Sequence, residues 1–362
     1  MARIGRNIDI IAACYRPEET RETIRFLGRT AKALARRDIQ AARTVLVCNS
    51  QESREVARTL RDRIPGLRVH LLRGTNVDGE WSAWDEGLQF SGLDAQPGGV
   101  LFLNDTAVTH RIFSIFMFRA LIRSLERSLA SPSPQPLGFV SWPRSPVRED
   151  FGVKGHKLGR WLTTYLYFLP RRAMADLGGQ VRCFQKDIRS WRPGEGEDRF
   201  FPEWLDGGLR RHLTGWLFQG GWYGSRAPDT SRELLELKAR CILYEKCLSA
   251  YLSGELGYDL VDPFDHQKIL LKWEDFFLPT RYQRLLEYSR FADPARAAGI
   301  GILPHFLGLA GHALMDRLPG LRAGAGPAGA DRSPGPGAPE SGRAGHSWTG
   351  PGTDPSSGIK NP

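Results

Sequence analysis

The residue of this chain best placed to do chemistry is a carboxylate at the end of an apolar run. Val100-Leu101-Phe102-Leu103 reads as a strand, and Asn104-Asp105-Thr106 follows it directly. In open α/β sheets, ligands bind outside the carboxyl ends of the strands. A carboxylate at that edge could hold a divalent cation that bridges to a diphosphate. It could equally cap the turn or the next helix, and taken alone the stretch favours the cap. A second acidic group, Gly194-Glu195-Gly196-Glu197-Asp198, has the same two readings: reactive carboxylates, or an acidic loop that caps a helix.

Composition narrows the partners. The net charge is +10 and the pI about 9.6, which suits nucleotides, phosphorylated carriers or an anionic membrane face. The arginines are dispersed along helices without a dense Lys/Arg block, which argues against nucleic acid. Five cysteines, an odd count with no CxxC spacing, argue against a disulfide framework or a zinc knuckle. Cys14 and Cys48 lie in apolar strand runs, as reduced core residues do, and point to a cytoplasmic compartment. Met1 to Asn7 is basic, but the apolar stretch after it is too short for a secretory signal. No apolar run reaches the roughly 18 residues that a membrane-crossing helix needs.

The elements that must position these residues alternate. Ile8 to Tyr15 reads as a strand. Pro17 opens a helix to about Arg37, with Ile24, Leu27, Ala31 and Leu34 on one face. Thr44–Cys48 is a strand ending in Asn49-Ser50, and Glu52–Arg63 a helix. Leu67–Leu72 is a strand ending in a Gly74-Thr75-Asn76 turn, Trp81–Phe90 a helix, and Gly99–Leu103 a strand. This order indicates βαβ units and a mainly parallel sheet. Right-handed crossovers then bring Tyr15, Asn49, Asn76 and Asp105 to one edge. Beyond it come a helix at about Thr109–Leu129, a strand at Leu137–Trp142, a polar basic loop at Ser145–Arg160 and a strand at Thr163–Leu169. Helical sequence runs from about Ser231 to Leu318, apart from a turn at Asp262-Pro263-Phe264. The Gly/Pro/Ser-rich tail beyond Gly320 has the composition of a disordered segment.

In this order the pieces resemble the GT-A fold of family 2 type glycosyltransferases, over about Ile8 to Gly224. Tyr15-Arg16-Pro17 and Asn49 resemble the strand ends that touch the nucleobase. Asn76-Val77-Asp78-Gly79 with Ala83, Asp85 and Gly87-Leu88 is similar to an Asn-x-x-Gly…Ala-x-Asn-x-Gly-Leu stretch, with Asp85 where Asn is usual. Asn104-Asp105-Thr106 falls at the Asp-x-Asp position, with Asn and Thr where the flanking carboxylates would stand. Tyr165 to Arg172 with Gly178-Gly179 resembles the acceptor-side segment, and Glu197-Asp198 the Glu-Asp catalytic motif.

The resemblance implies an α/β GT-A fold with a mixed, mainly parallel sheet flanked by helices. It implies a catalytic domain at 1–225; beyond it, pattern and composition predict a helical extension at 226–319 and a disordered tail at 320–362. It implies a nucleoside-diphosphate sugar donor, a glycan or lipid-linked acceptor, inversion, and Mn²⁺ or Mg²⁺ on Asp105. Donor contacts would come from Tyr15, Arg16, Asn49, Asn76, Gly79, Asp85, Asn104, Asp105 and Thr106. Asp198 would be the general base, with Glu197 next. Two alternatives stay open: a non-catalytic relative that binds nucleotide sugar or glycan, and a sugar nucleotidyltransferase. The second is disfavoured because Ala12 to Pro17 contains no glycine. A Rossmann dehydrogenase is disfavoured by the missing GxGxxG.

Other residues carry paired readings. Trp81 and Trp84 are packing residues before they are sugar platforms. Lys154, His156, Lys157 and Arg160 form a solvated basic loop or a lid over the diphosphate. His212 and His266 are third metal ligands or ordinary histidines. Ala298–Leu318 packs on the domain or lies on an anionic membrane.

Overall fold

The computed structural model describes residues 6–62, 64, 67–92, 98–107, 115–141, 151–219 and 230–265. The strands are β1 (Arg6–Cys14), β2 (Ile39–Cys48), β3 (Val69–Arg73), β4 (Gly99–Asn104), β5 (Leu137–Ser141), β6 (Gly152–Val153), β7 (His156–Lys157) and β8 (Trp161–Pro170). The α-helices are α1 (Pro17–Ala35), α2 (Gln51–Arg61), α3 (Glu80–Ser91), α4 (Ile115–Ala130), α5 (Arg171–Asp176), α6 (Gln185–Ser190), α7 (Gly207–Phe218) and α8 (Arg232–Ala250).

Six strands form one sheet in the order β3-β2-β1-β4-β8-β5. The first four are parallel, while β8 runs antiparallel to both β4 and β5. The fold is a mainly parallel, mixed α/β sheet flanked by helices, as the strand–helix alternation predicts. In β1 the residues alternate between faces, as strand geometry requires. Ile8, Ile10, Ala12 and Cys14 enter a core with Ile24, Leu27 and Leu34 of α1 and Leu121 and Leu125 of α4. Ile11 and Ala13 enter the other core with Trp81, Trp84 and Leu88 of α3 and Leu243 and Leu248 of α8. Trp84 is buried and its Nε1 donates to the Leu103 carbonyl at 3.0 Å, so it packs and braces β4.

Two expectations change. The second strand begins at Ile39, five residues early, because Ile39 to Arg43, which break the apolar pattern at Gln40 and Arg43, still pair with β1 from Arg6↔Ile39 onward. The stretch expected as a basic loop contains, from Gly152, the hairpin β6–β7. Lys154 (φ 50°) and Gly155 (φ 82°) both take left-handed backbone, the requirement of a two-residue hairpin turn. Lys154 pairs with Asp187 at 2.6 Å, so its ammonium is not loose in solvent. His212 packs against the rings of Phe151 and Trp161. His266, Ala298–Leu318 and the tail lie outside the described residues. No helix among the described residues is long and apolar enough to cross a membrane.

Candidate functional site

The sheet order reverses between β1 and β4. The chain steps outward from β1 to β2 and β3, then returns to the other side of β1 for β4. A crevice opens at the carboxyl ends of strands at such a switch point. The tips are tied together there. Asn49 N–H donates to the Cys14 carbonyl at 2.8 Å, Asp105 N–H to Ala13 at 2.9 Å, and Gly74 N–H to Cys48 at 2.9 Å.

Asp105 is 0% exposed. Its Oδ2 accepts the backbone N–H groups of Tyr15 and, at 2.9 Å, Arg16. Arg16 is the N-cap residue of α1, so the carboxylate also faces the positive end of that helix. Asp105 thus clasps β4 to the β1–α1 turn. Burial pushes its carboxyl up to about 6, against the pull of the two amide hydrogen bonds. Its Oδ1 is buried and accepts no hydrogen bond.

Three more polar atoms share that condition at the same edge. The Tyr15 hydroxyl and both side-chain amide atoms of Asn49 are buried without a hydrogen-bond partner. The phenol lies near Asn49 but out of bonding geometry, and within electrostatic reach of Glu80, Cys241 and Asp105. Burial, then the Glu80 charge, raises its pKa, which keeps it a neutral donor. Folded proteins leave few buried polar atoms unpaired, and each costs about 1–3 kcal/mol. Four of them lie together on the tips of β1, β2 and β4.

The loop after β3 borders the crevice. Asn76 is exposed and left-handed (φ 55°). Gly79 has φ 59° and ψ −139°, and a Cβ there would lie 2.7 Å from Cys241 Sγ and 3.7 Å from the Tyr15 hydroxyl. Between them in sequence, Asp78 is buried. Its Oδ2 accepts from Arg182 Nη1 at 2.8 Å, Arg189 Nη2 at 2.9 Å and Nε at 3.1 Å, and the Tyr244 hydroxyl at 3.4 Å. Asp85 is buried too. Its Oδ1 takes Val181 N–H at 2.7 Å and its Oδ2 takes Arg182 Nε at 2.5 Å. Burial raises the Asp85 carboxyl despite Arg182. Burial also opposes the Arg182 charge, but its bonds to Asp85 and Asp78 outweigh that and raise its pKa.

Of the residues singled out in the sequence, Tyr15, Arg16, Asn49 and Asp105 meet at the strand tips, with Gly79 beside Tyr15. Asn104 Oδ1 accepts the Thr106 hydroxyl at 2.8 Å. Both Asp85 oxygens are occupied by the segment after Gly178-Gly179, so this carboxylate anchors that segment. Glu197–Arg199 forms a 3₁₀ turn. Phe200 and Phe201 behind it are buried, with Phe201 stacked on Trp191 at 6.2 Å. Glu197 and Asp198 are exposed, and Glu197 Oε2 accepts Gln219 Nε2 at 3.2 Å. These bonds fix the turn locally and do not join it to the strand tips. The arginine set around Asp78 was not foreseen. Its one sequence signal was Asp78 inside Asn-Val-Asp-Gly.

The implied divalent metal meets a thin donor set. Asp105 offers one buried oxygen, its other oxygen is committed to two amides, and Asn104 bonds Thr106. Among the described residues no group of three His, Cys, Asp or Glu side chains could hold a metal ion. In this arrangement these residues do not fit a metal held by the protein.

No protein-family model matches the chain, and no curated protein matches it. Solved structures are similar at low identity. One is 4-diphosphocytidyl-2C-methyl-D-erythritolsynthase from Anaerococcus prevotii DSM 20548, at 13% identity and TM-score 0.32, covering 53% of this chain and 81% of that one. Another is the mannosyltransferase PcManGT from Pyrobaculum calidifontis in complex with GDP-Man and Mn²⁺, at 14% identity and TM-score 0.35, covering 86% and 87%. Likeness at that level bears on neither the activity nor the substrate of this chain.

Proposed function

We propose that the crevice at the β1–β4 switch point binds a nucleoside-diphosphate sugar, and that the protein transfers the sugar to a glycan or lipid-linked acceptor with inversion. The observation that carries this reading is the set of unpaired buried atoms on Tyr15, Asn49 and Asp105. A nucleoside presents ring nitrogens, carbonyls and ribose hydroxyls that satisfy such atoms, and Tyr15 adds an aromatic face. Asn76 and the Gly79 backbone border the same crevice and are proposed to contact the donor, with Asn104 and Thr106 at its β4 side. Asp105 acts here by fixing the Tyr15 and Arg16 backbone beneath the donor and by accepting a donor hydroxyl at Oδ1.

For transfer, an acceptor hydroxyl loses its proton to Asp198 as its oxygen bonds to the anomeric carbon. The bond from that carbon to the diphosphate breaks, and the electron pair leaves with the phosphate oxygen. Glu197 shares the turn that presents Asp198. A screen of UDP, GDP and dTDP sugars by calorimetry, paired with transfer assays, tests this reading. Asp198→Asn is expected to lower transfer on the order of 10²–10⁴-fold while donor affinity holds. Full activity in that variant contradicts the base assignment. Donor binding with no turnover on any acceptor would favour a non-catalytic binder.

A further inference from the structure

Three guanidinium groups gather on one buried carboxylate beside the crevice. Arg182 and Arg189 crowd Asp78 Oδ2, while Arg240 Nε stands 3.9 Å from Oδ1. That separation is beyond hydrogen-bond reach, and Arg240 Nε is buried with no hydrogen-bond partner. Asp85 takes part of Arg182. Two carboxylates therefore face three guanidiniums, which leaves one positive charge in excess. The excess is reachable, because the Arg189 and Arg240 side chains are 46% and 26% exposed while Asp78 is 2% exposed. Three guanidiniums on two carboxylates leave a cluster that attracts a further anion.

The position is informative. Asp78 precedes Gly79, whose missing Cβ faces both the Tyr15 hydroxyl and Cys241 of α8. Arg240 and Tyr244 come from α8, Arg189 from α6 and Arg182 from the segment before it. Four chain segments thus converge next to the strand tips. The planar, forked guanidinium matches phosphate oxygens in pairs.

We infer that Arg182, Arg189 and Arg240, held by Asp78, form a phosphoryl-binding site that carries the charge of a diphosphate without a divalent metal. The inference rests on the proposed function for the source of the phosphates, the nucleotide donor. Its chemical content, a metal-free diphosphate site, stands apart from that source. As the diphosphate leaves with the bonding electron pair, Arg189 and Arg240 stabilise the new charge, and Arg182 holds the cluster to Asp85.

The test uses the full-length protein in EDTA and titrates inorganic pyrophosphate by calorimetry. Wild type is expected to bind it, and Arg240→Met to weaken binding at least about tenfold (each factor of ten being about 1.4 kcal/mol). Arg189→Met, at a more exposed side chain, is expected to weaken binding as well and serves where Arg240→Met fails to fold. Arg240→Lys is expected to recover part of the loss. No pyrophosphate binding in EDTA, or equal binding by both methionine variants, overturns the site. Nucleotide-sugar binding that is indifferent to both variants overturns the site and leaves the proposed function standing. Arginine-dependent pyrophosphate binding without any nucleotide-sugar binding keeps the site and removes the proposed function.

Discussion

Asp105 shows why a residue type at a strand tip does not by itself give a role. Its position at the carboxyl edge was legible, since an apolar run followed by Asn-Asp-Thr places it there. What one carboxylate oxygen does was not, because its partners are backbone amides 89 and 90 residues away. The burial of this carboxyl has a pH signature. The folded carboxyl titrates at about 6, above its ordinary 3.8, so the fold binds this proton more tightly than the unfolded chain does. The stability that it contributes is present below about pH 3.8, declines as pH rises to about 6 and is absent above. The total is about 3 kcal/mol. Asp105→Asn is expected to remove that slope. Urea unfolding of both proteins from about pH 4 to about pH 7 checks this, and an unchanged slope would show that Asp105 is not the titrating group. Asp85 gives the same lesson, since its place in the motif was legible and its bonds to Val181 and Arg182 were not.

At the scale of elements, α8 does work that no local pattern in the sequence announced. Beyond Leu103↔Leu166, β8 runs past the end of β4. Its Leu162 and Thr164 amides are then satisfied by Ser249 Oγ and Glu245 Oε2 of α8, each at 3.0 Å. The helix thereby stands in for a missing strand. Beside Glu245, Lys246 is buried, bonded to Oε1 at 2.7 Å, with its ammonium 3.6 Å from the centre of the Trp161 ring. Burial lowers this lysine to about 8, with Glu245 opposing. Lys246→Ala strands the Glu245 charge and is expected to cost about 3–5 kcal/mol. The double variant Lys246→Met, Glu245→Gln should recover most of it, and thermal melts of the pair decide. Gly79→Ala is a second element-level case. A Cβ at φ 59° and ψ −139° is strained and meets Cys241, so a loss of about 1–3 kcal/mol is expected on chemical denaturation. An unaffected midpoint would mean that the loop relaxes freely.

At the scale of the molecule, the parallel half of the sheet was readable because each of its strands is followed by a helical segment of ordinary length. The insertion of β8 between β4 and β5 was not, since antiparallel placement depends on contacts across the sheet. The candidate site divides the same way. Residues on strand tips were found, while the Arg182–Arg189–Arg240 set depends on α6, α8 and a loop meeting in space. The net charge of +10 favours anionic ligands at long range, so donor affinity should fall as salt rises. The most direct measurement is calorimetric titration of the full-length protein with UDP, GDP and dTDP sugars, alongside a variant with Asn49→Leu. Saturable binding of at least one nucleotide sugar, weakened about tenfold or more by the variant, is the expected result. No binding by any of them, or binding untouched by the loss of the Asn49 amide, would contradict a donor site at the β1–β4 switch point.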